Sequence, residues 1–198
     1  MPSSAPSSFA DLTEHTLSSE RLLDGKLICV QRDRVRLPDG NESWREYVLH
    51  PGAVVIAAFI DADTLIFEHQ YRYPVRRHFI ELPAGKIDAG EETLGCAQRE
   101  LLEETGYSAR EWQYVTTVYP CIGYTDERLV YYLARGLEFS GHQPDEDEFL
   151  EIFQLPFEQA LSMIKTGEIC EAKTVVGLFW LEKILSGEWV PFAAPGPL

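Results

Sequence analysis

From about residue 21 to 50, apolar and polar positions alternate with a period of two, broken at Asp24-Gly25 and across Pro38-Asp39-Gly40-Asn41. Alternation interrupted by such turn residues predicts a small antiparallel set of strands. Pro51-Gly52 ends it. "AVVIAAFI" from Ala53 reads as a buried strand and "TLIFEHQYRY" from Thr64 as a half-buried one, joined by the polar turn Asp61-Ala62-Asp63. "HFIELPAG" reads as a third strand running into a Gly/Pro turn. The period then changes. With a helix taken from Glu91 or Glu92 to Thr105, Leu94, Ala97, Leu101 and Leu102 fall near one face, and Gly106 supplies the stop. Strands follow at 112–119, 128–135 and 148–154, then two helical segments, "PFEQALSMIKTGE" and "EAKTVVGLFWLEKILSGE", the second ending at Gly187. The order of strands, helix, strands and helices is neither a repeat nor a regular βαβ alternation. It predicts a mixed α/β sandwich, α+β in class, with one sheet system between helices. The expected divisions are a Ser/Pro-rich disordered tail at 1–16, an N-terminal antiparallel strand domain at 17–50, a main domain at 51–190 and a C-terminal tail at 191–198.

Composition narrows the classes. A chain of 198 residues with 45% hydrophobic residues can bury one substantial core, or a small domain attached to a larger one. No stretch approaches the roughly 18 apolar residues that span a bilayer, and the first residues carry no basic or apolar leader pattern. Cys29, Cys96, Cys121 and Cys170 form no C-x-x-C pair and read as reduced core thiols, so a cytoplasmic setting is expected. The formal net charge of −15 argues against nucleic acid or an anionic membrane as partner. A small anionic substrate stays open if cations are supplied locally.

The acidic helix raises the chemical question. Glu100, Glu103 and Glu104 stand at i, i+3 and i+4, so their carboxylates project together. Carboxylates about 5 Å apart repel by roughly 3 kcal/mol per pair at an effective dielectric of 20, and by under about 1 in water. A solvated face tolerates that, and a bare E-x-x-E-E is most often one; a cleft needs a cation. Hard divalent ions take such oxygen ligands. Arg99 beside the cluster could pair with Glu91 near the helix start and hold the acids in place.

The register decides between these readings. Gly85, five residues, Glu91, seven residues, Arg99-Glu100-Leu101, one residue, Glu103-Glu104, one residue and Gly106-Tyr107 together resemble the Nudix box. The resemblance implies a Nudix-type mixed-sheet α/β/α sandwich that hydrolyses nucleoside diphosphates linked to another moiety. It implies metal ligands at Glu100, Glu104, Glu103 and the backbone of Ala84, with Gly85 allowing close approach of the backbone to metal and phosphates. "HPGAVVIAAFI", "EHQYRYPVRRHFIELPAGKID", "GYTDER" and "LSMIKTGEICEAKT" are similar to the ADP-ribose pyrophosphatase branch, over roughly residues 20–185. That branch places a proline where Ile122 stands, whereas Gly123 and Glu127 keep their places.

By the same resemblance, magnesium, with manganese as substitute, assists hydrolysis of ADP-ribose to AMP and ribose 5-phosphate. Arg99 and Glu91 support the acids, and Glu127 is the candidate base. Arg72 is expected to bind phosphate, with a surface ion pair as the alternative. Glu81 is expected to bind ribose or to support its turn. Trp44 and Arg45 are candidates for reaching the nucleotide, Trp44 with a core or interface role set against this. Gly123 completes the expected substrate contacts. A homodimer in which the N-terminal domain completes the partner's site is expected. Other substrates, such as GDP-mannose or a dinucleotide, and a non-catalytic ADP-ribose-binding module are the alternatives. The acidic run at 145–148 reads as a solvated loop.

Overall fold

The computed structural model describes residues 9–141 and 149–192, so the acidic run at 145–148, the first half of the expected N-terminal tail and most of the C-terminal one lie outside the described residues. The chain divides into two units, the first running to His50 and taking in Cys121–Asp126, the second formed by the rest.

In the first unit β1 (His15–Asp24), β2 (Cys29–Arg36) and β3 (Glu42–Leu49) form an antiparallel sheet in the order β1-β2-β3. Both turns are closed by backbone bonds, Gly25 N–H to the Ile28 carbonyl at 3.0 Å and Gly40 N–H to that of Leu37 at 2.9 Å. Gly40 has φ 87°, a left-handed conformation that a side chain would strain. The first strand opens at His15, inside the stretch expected to be a tail. Cross-strand pairs of opposite charge line the sheet, among them Arg32–Glu20 and Arg36–Glu42. Apolar burial here is slight: Val35 is buried, whereas every residue of β1 is exposed. Residues 121–126 run beside β3, with Val48 N–H donating to the Tyr124 carbonyl at 2.8 Å and His50 N–H to Asp126 Oδ1 at 2.7 Å.

The second unit holds β4 (Ala53–Ala58), β5 (Thr64–Arg72), β6 (Arg77–Glu81), β7 (Ala84–Lys86), α1 (Thr93–Thr105), β8 (Tyr107–Val118), β9 (Leu129–Phe139), β10 (Leu150–Pro156), α2 (Phe157–Thr166) and α3 (Ala172–Leu185). Instead of one continuous sheet there are two, β7-β4-β9-β8 and β10-β5-β6. The reason lies at β4, whose two edges are taken by β7 and by a parallel β9, so β5 meets it only at the Phe59–Leu65 bridge. All of β4 is buried. Its alternate side chains face opposite layers: Val55 and Ala57 pack with Ala160 of α2 and Leu178 and Leu181 of α3. Val54, Ile56 and Ala58 pack with Cys96, Ala97 and Leu101 of α1. This is an α/β/α sandwich.

Three expectations change. Helix α1 begins at Thr93, because Gly90 (φ 80°) and an extended Glu92 precede it. Its buried stripe is Ala97, Leu101 and Glu104, with Cys96 and Thr105 beside it; Leu94 and Leu102 are 40% and 38% exposed. A carboxylate thus occupies a core-facing position that two leucines forgo. Of the cysteines only Cys96 is a core thiol; Cys29 and Cys121 are half-buried and Cys170 is exposed, all four free. Among the described residues no helix is long and apolar enough to cross a membrane.

Candidate functional site

The five residues Glu81-Leu82-Pro83-Ala84-Gly85 join the two helix layers of the second unit. Pro83 offers its carbonyl to Ile56 N–H at 2.8 Å, and Leu82 N–H donates to Thr174 Oγ1 of α3 at 2.9 Å. Ala84 N–H donates to Glu104 Oε2 of α1 at 3.1 Å. At Gly85 a Cβ would fall 1.8 Å from Glu100 Cδ, so the glycine makes room for that carboxylate. The close approach expected of Gly85 is therefore first an approach to Glu100.

Beside this segment lies a cavity of about 480 Å³, lined by Arg72, Ala84, Gly85, Lys86, Asp88, Arg99, Glu100, Glu103 and Glu104. Its wall carries carboxylates of α1 together with the guanidinium groups of Arg72 and Arg99. Arg99 organises the acids: it donates to Glu91 (3.0 and 2.9 Å), to Glu100 Oε1 (2.8 Å), to Glu103 Oε2 (3.0 Å) and to the Lys86 carbonyl (3.2 Å). Those bonds, with Glu91 foremost, raise the pKa of Arg99, and Arg99 in turn holds Glu91 at about 2. Glu91 is also fastened by Asp88 N–H at 3.1 Å, so the segment before α1 and its middle turns are tied by one side chain. Burial, with the charge of Glu91 next, pushes the neighbouring Cys96 thiol up to about 12, so it stays protonated and inert as a nucleophile.

Arg72 and Glu81 meet each other directly. Arg72 donates through Nε and Nη2 to the two oxygens of Glu81 at 2.8 and 2.7 Å, a bidentate fork. Glu81 is only 1% exposed and also accepts from Lys173 Nζ. Burial acts to raise its pKa, but the bonds and charges of Arg72 and Lys173 outweigh it and hold the carboxyl below its usual range. Arg72, expected to bind phosphate or else to form a surface ion pair, is paired with the buried Glu81 and also lines the cavity.

Chemically the wall suits a hard divalent cation. Glu100, Glu103 and Glu104 offer carboxylate oxygens to one space, and Gly85 leaves a cradle that a Cβ would fill. Among the described residues, however, no three acidic, histidine or cysteine side chains are already gathered at ligand spacing. Glu100 and Glu103 face Arg99 and Glu104 faces Ala84 N–H, so a cation would draw them from these partners.

The other expected residues are not among those that line this cavity. Glu127 belongs to the second unit but does not line the cavity; its charge, with that of Glu171 and after the larger effect of burial, raises the pKa of the Tyr131 hydroxyl. Trp44, Arg45 and Gly123 belong to the first unit. Trp44 is not a core residue: it is 53% exposed, with the Arg32 guanidinium 5.1 Å from its ring centroid. Arg45 is paired with Glu14 and donates to the Trp44 carbonyl at 2.9 Å. Sequence reasoning missed Lys86, Asp88 and Lys173. The signal for Lys173 was present in "EAKT", an acid placed to cap a helix two residues before a lysine. Glu171 does cap α3, accepting from Lys173 N–H at 2.8 Å and Thr174 N–H at 3.0 Å.

Residues 49–175 match the NUDIX domain, and residues 14–48 match the nucleoside diphosphate sugar hydrolase N-terminal domain. The chain is 39% identical over 173 residues to an ADP-ribose pyrophosphatase of Bacillus subtilis (strain 168), covering 86% of this chain and 94% of that one. It is 36% identical over 193 residues to an ADP-ribose pyrophosphatase of Mycobacterium tuberculosis (strain ATCC 25618 / H37Rv), covering 94% and 91%. A crystal structure of an ADP compounds hydrolase superposes with a TM-score of 0.81 at 24% identity, over 91% of this chain and 98% of that one, which speaks for the fold.

Proposed function

The chain belongs to the NUDIX family, and on that premise we propose that it hydrolyses the pyrophosphate of ADP-ribose to AMP and ribose 5-phosphate. The observation that carries this reading is the cavity itself. Glu100, Glu103 and Glu104 share one wall with Arg72 and Arg99, which is what a doubly charged diphosphate and its counter-cation require. The relatives from Bacillus subtilis and Mycobacterium tuberculosis, matched over nearly their whole length, supply the substrate.

Each residue has a part. Magnesium, or manganese in its place, would be held by Glu100, Glu103 and Glu104 beside Ala84, and would supply neutralisation of the diphosphate charge. Arg99, anchored by Glu91, keeps the carboxylates of Glu100 and Glu103 aimed at one space. Arg72, which lines the same cavity, meets a phosphate oxygen. A water attacks phosphorus, the bridging oxygen leaves with one phosphate, and Glu127 receives the proton of the attacking water. Gly123 is a further candidate substrate contact. The N-terminal strand domain, residues 17–50, joins two copies into a homodimer and brings Trp44 and Arg45 to the substrate, while residues 51–190 carry the chemistry. Exposure of Leu17, Leu22, Leu23, Leu27 and Ile28 on or next to β1 supports a partner there. Four free thiols suit a reducing compartment such as the cytoplasm.

A substrate panel tests the assignment: ADP-ribose, NADH, GDP-mannose, UDP-glucose and diadenosine polyphosphates, each with magnesium, scored for products. ADP-ribose should have the highest kcat/KM. A preference for GDP-mannose would move the chain to another nucleotide sugar; Ile122, at the branch's proline position, is where the sequence departs from the ADP-ribose pattern. Tight ADP-ribose binding without turnover would make it a binding module.

A further inference from the structure

The search beyond the acidic wall ends at the start of α3. Lys173 lies in the first turn of that helix, its side chain 11% exposed, and its Nζ reaches Glu81 and, at 3.3 Å, Glu171 Oε2. Glu81 Oε2 is the oxygen that also takes Arg72 Nη2 at 2.7 Å. One buried carboxylate oxygen therefore stands between two cations from different elements, α3 and β5. We propose that Lys173 is a positioning residue for substrate: acting through Glu81, it fixes the Arg72 guanidinium at the cavity wall. The role rests on the pyrophosphatase reading above and names a part of its machinery that lies outside the acidic helix.

The geometry supports this in three ways. First, the backbone at Lys173 is itself held, because Glu171 caps its N–H at 2.8 Å and the Tyr131 hydroxyl donates to its carbonyl at 3.0 Å. Second, α3 cannot slide along the strand layer. Leu82 N–H is bonded to Thr174 Oγ1, and a Cβ at Gly177 would come within 2.9 Å of Leu82 Cδ1. Third, Arg72 alone would leave a buried carboxylate with one partner, and a long side chain 44% exposed at its own end has rotamer freedom to lose. With Lys173 on the same oxygen, the carboxylate is clamped, and the bidentate fork is presented in one orientation. Nε and one N–H of Nη2 are spent on Glu81, which leaves Nη1 and the second N–H of Nη2 to meet a phosphate oxygen.

The experiment compares wild type, Lys173→Met, Lys173→Arg, Arg72→Ala and the Lys173→Met/Arg72→Ala double variant in the full chain, with ADP-ribose and magnesium, below each melting temperature. Binding that is equal in the ground and transition states shows in KM, so Lys173→Met should raise KM about tenfold with kcat within about threefold of wild type. Lys173→Arg, which keeps a cation, should restore most of the loss. Because Lys173 acts through Arg72, the double variant should match Arg72→Ala within about twofold in kcat/KM. Additive losses, unchanged kinetics in Lys173→Met, or a fall in kcat at constant KM would each overturn the role. If Lys173→Met does not fold, Lys173→Arg decides: a KM still raised tenfold overturns it, and a near wild-type KM upholds it. Absence of turnover by wild type overturns the functional reading and this role with it, whereas turnover with additive losses overturns the role alone.

Discussion

Replacing Gly85 by alanine should separate activity from stability. The new Cβ would lie 1.8 Å from Glu100 Cδ and 2.1 and 2.2 Å from its oxygens. Carbon atoms in ordinary contact stand about 3.5–4.0 Å apart, so the carboxylate must retreat by roughly 1.5–2 Å. It can do so cheaply, because it is the end of a flexible side chain. The retreat costs its 2.8 Å bond from Arg99, a charge-assisted bond of about 1.5–3 kcal/mol at most, and Arg99 keeps Glu91 and Glu103. A net loss of about 1–2 kcal/mol in stability is expected after solvent screening. Activity should suffer more, since a misplacement of about 1 Å in a reacting centre costs about 10²-fold. Urea unfolding and steady-state kinetics with ADP-ribose measure both. Adding Glu100→Ala to Gly85→Ala should abolish the further stability loss, because the clash is then gone. Wild-type kcat in Gly85→Ala, or a stability loss that persists without the Glu100 side chain, would refute the reasoning.

The remaining predictions concern the acids and the first unit. Glu127→Gln should lower kcat by about 10²–10⁴, the range for losing a general base, with KM little changed and no rescue by excess magnesium. Asp126→Asn should keep kcat and most of the stability, since its amide oxygen still accepts His50 N–H, whereas Asp126→Ala should lose about 0.5–2 kcal/mol; a larger kinetic defect in Asp126→Asn than in Glu127→Gln would exchange the two roles. Glu91, held at about 2 against its usual 4.5, contributes stability that is fully present above about pH 4.5 and is lost as pH falls towards 2. Acid titration of Glu91→Gln should therefore show a flatter loss over that range than wild type, and parallel curves would contradict the Arg99 clamp. Deleting residues 1–50 should give an inactive monomer or aggregate, whereas a well-folded, fully active monomer would rule out a shared site.

The alternation across 21–50 and the apolar run from Ala53 announced strands because a pleated surface buries every second residue, or all of them when both faces are covered. The split into two sheets was not legible, since it depends on which partners occupy the edges of β4, a matter of tertiary pairing. In α1 the leucines misled: Leu102 sits about 100° around the helix from Leu101, and the inward position went to Glu104, whose partner, the Ala84 amide, comes from a distant turn. The acidic register and its arginine could be read because side chains on one helix keep fixed spacing. Lys173 could not be read as a partner of Glu81, because 92 residues separate them and only the packing of α3 on the strand layer brings them together.

The central claim is tested most directly by product analysis. Wild-type protein incubated with ADP-ribose and magnesium should release AMP and ribose 5-phosphate in equal amounts, and Glu104→Gln, folded to the same extent, should lose most of that turnover. ADP-ribose left intact by well-folded wild type with magnesium and with manganese, or cleaved to products other than this pair, would contradict it.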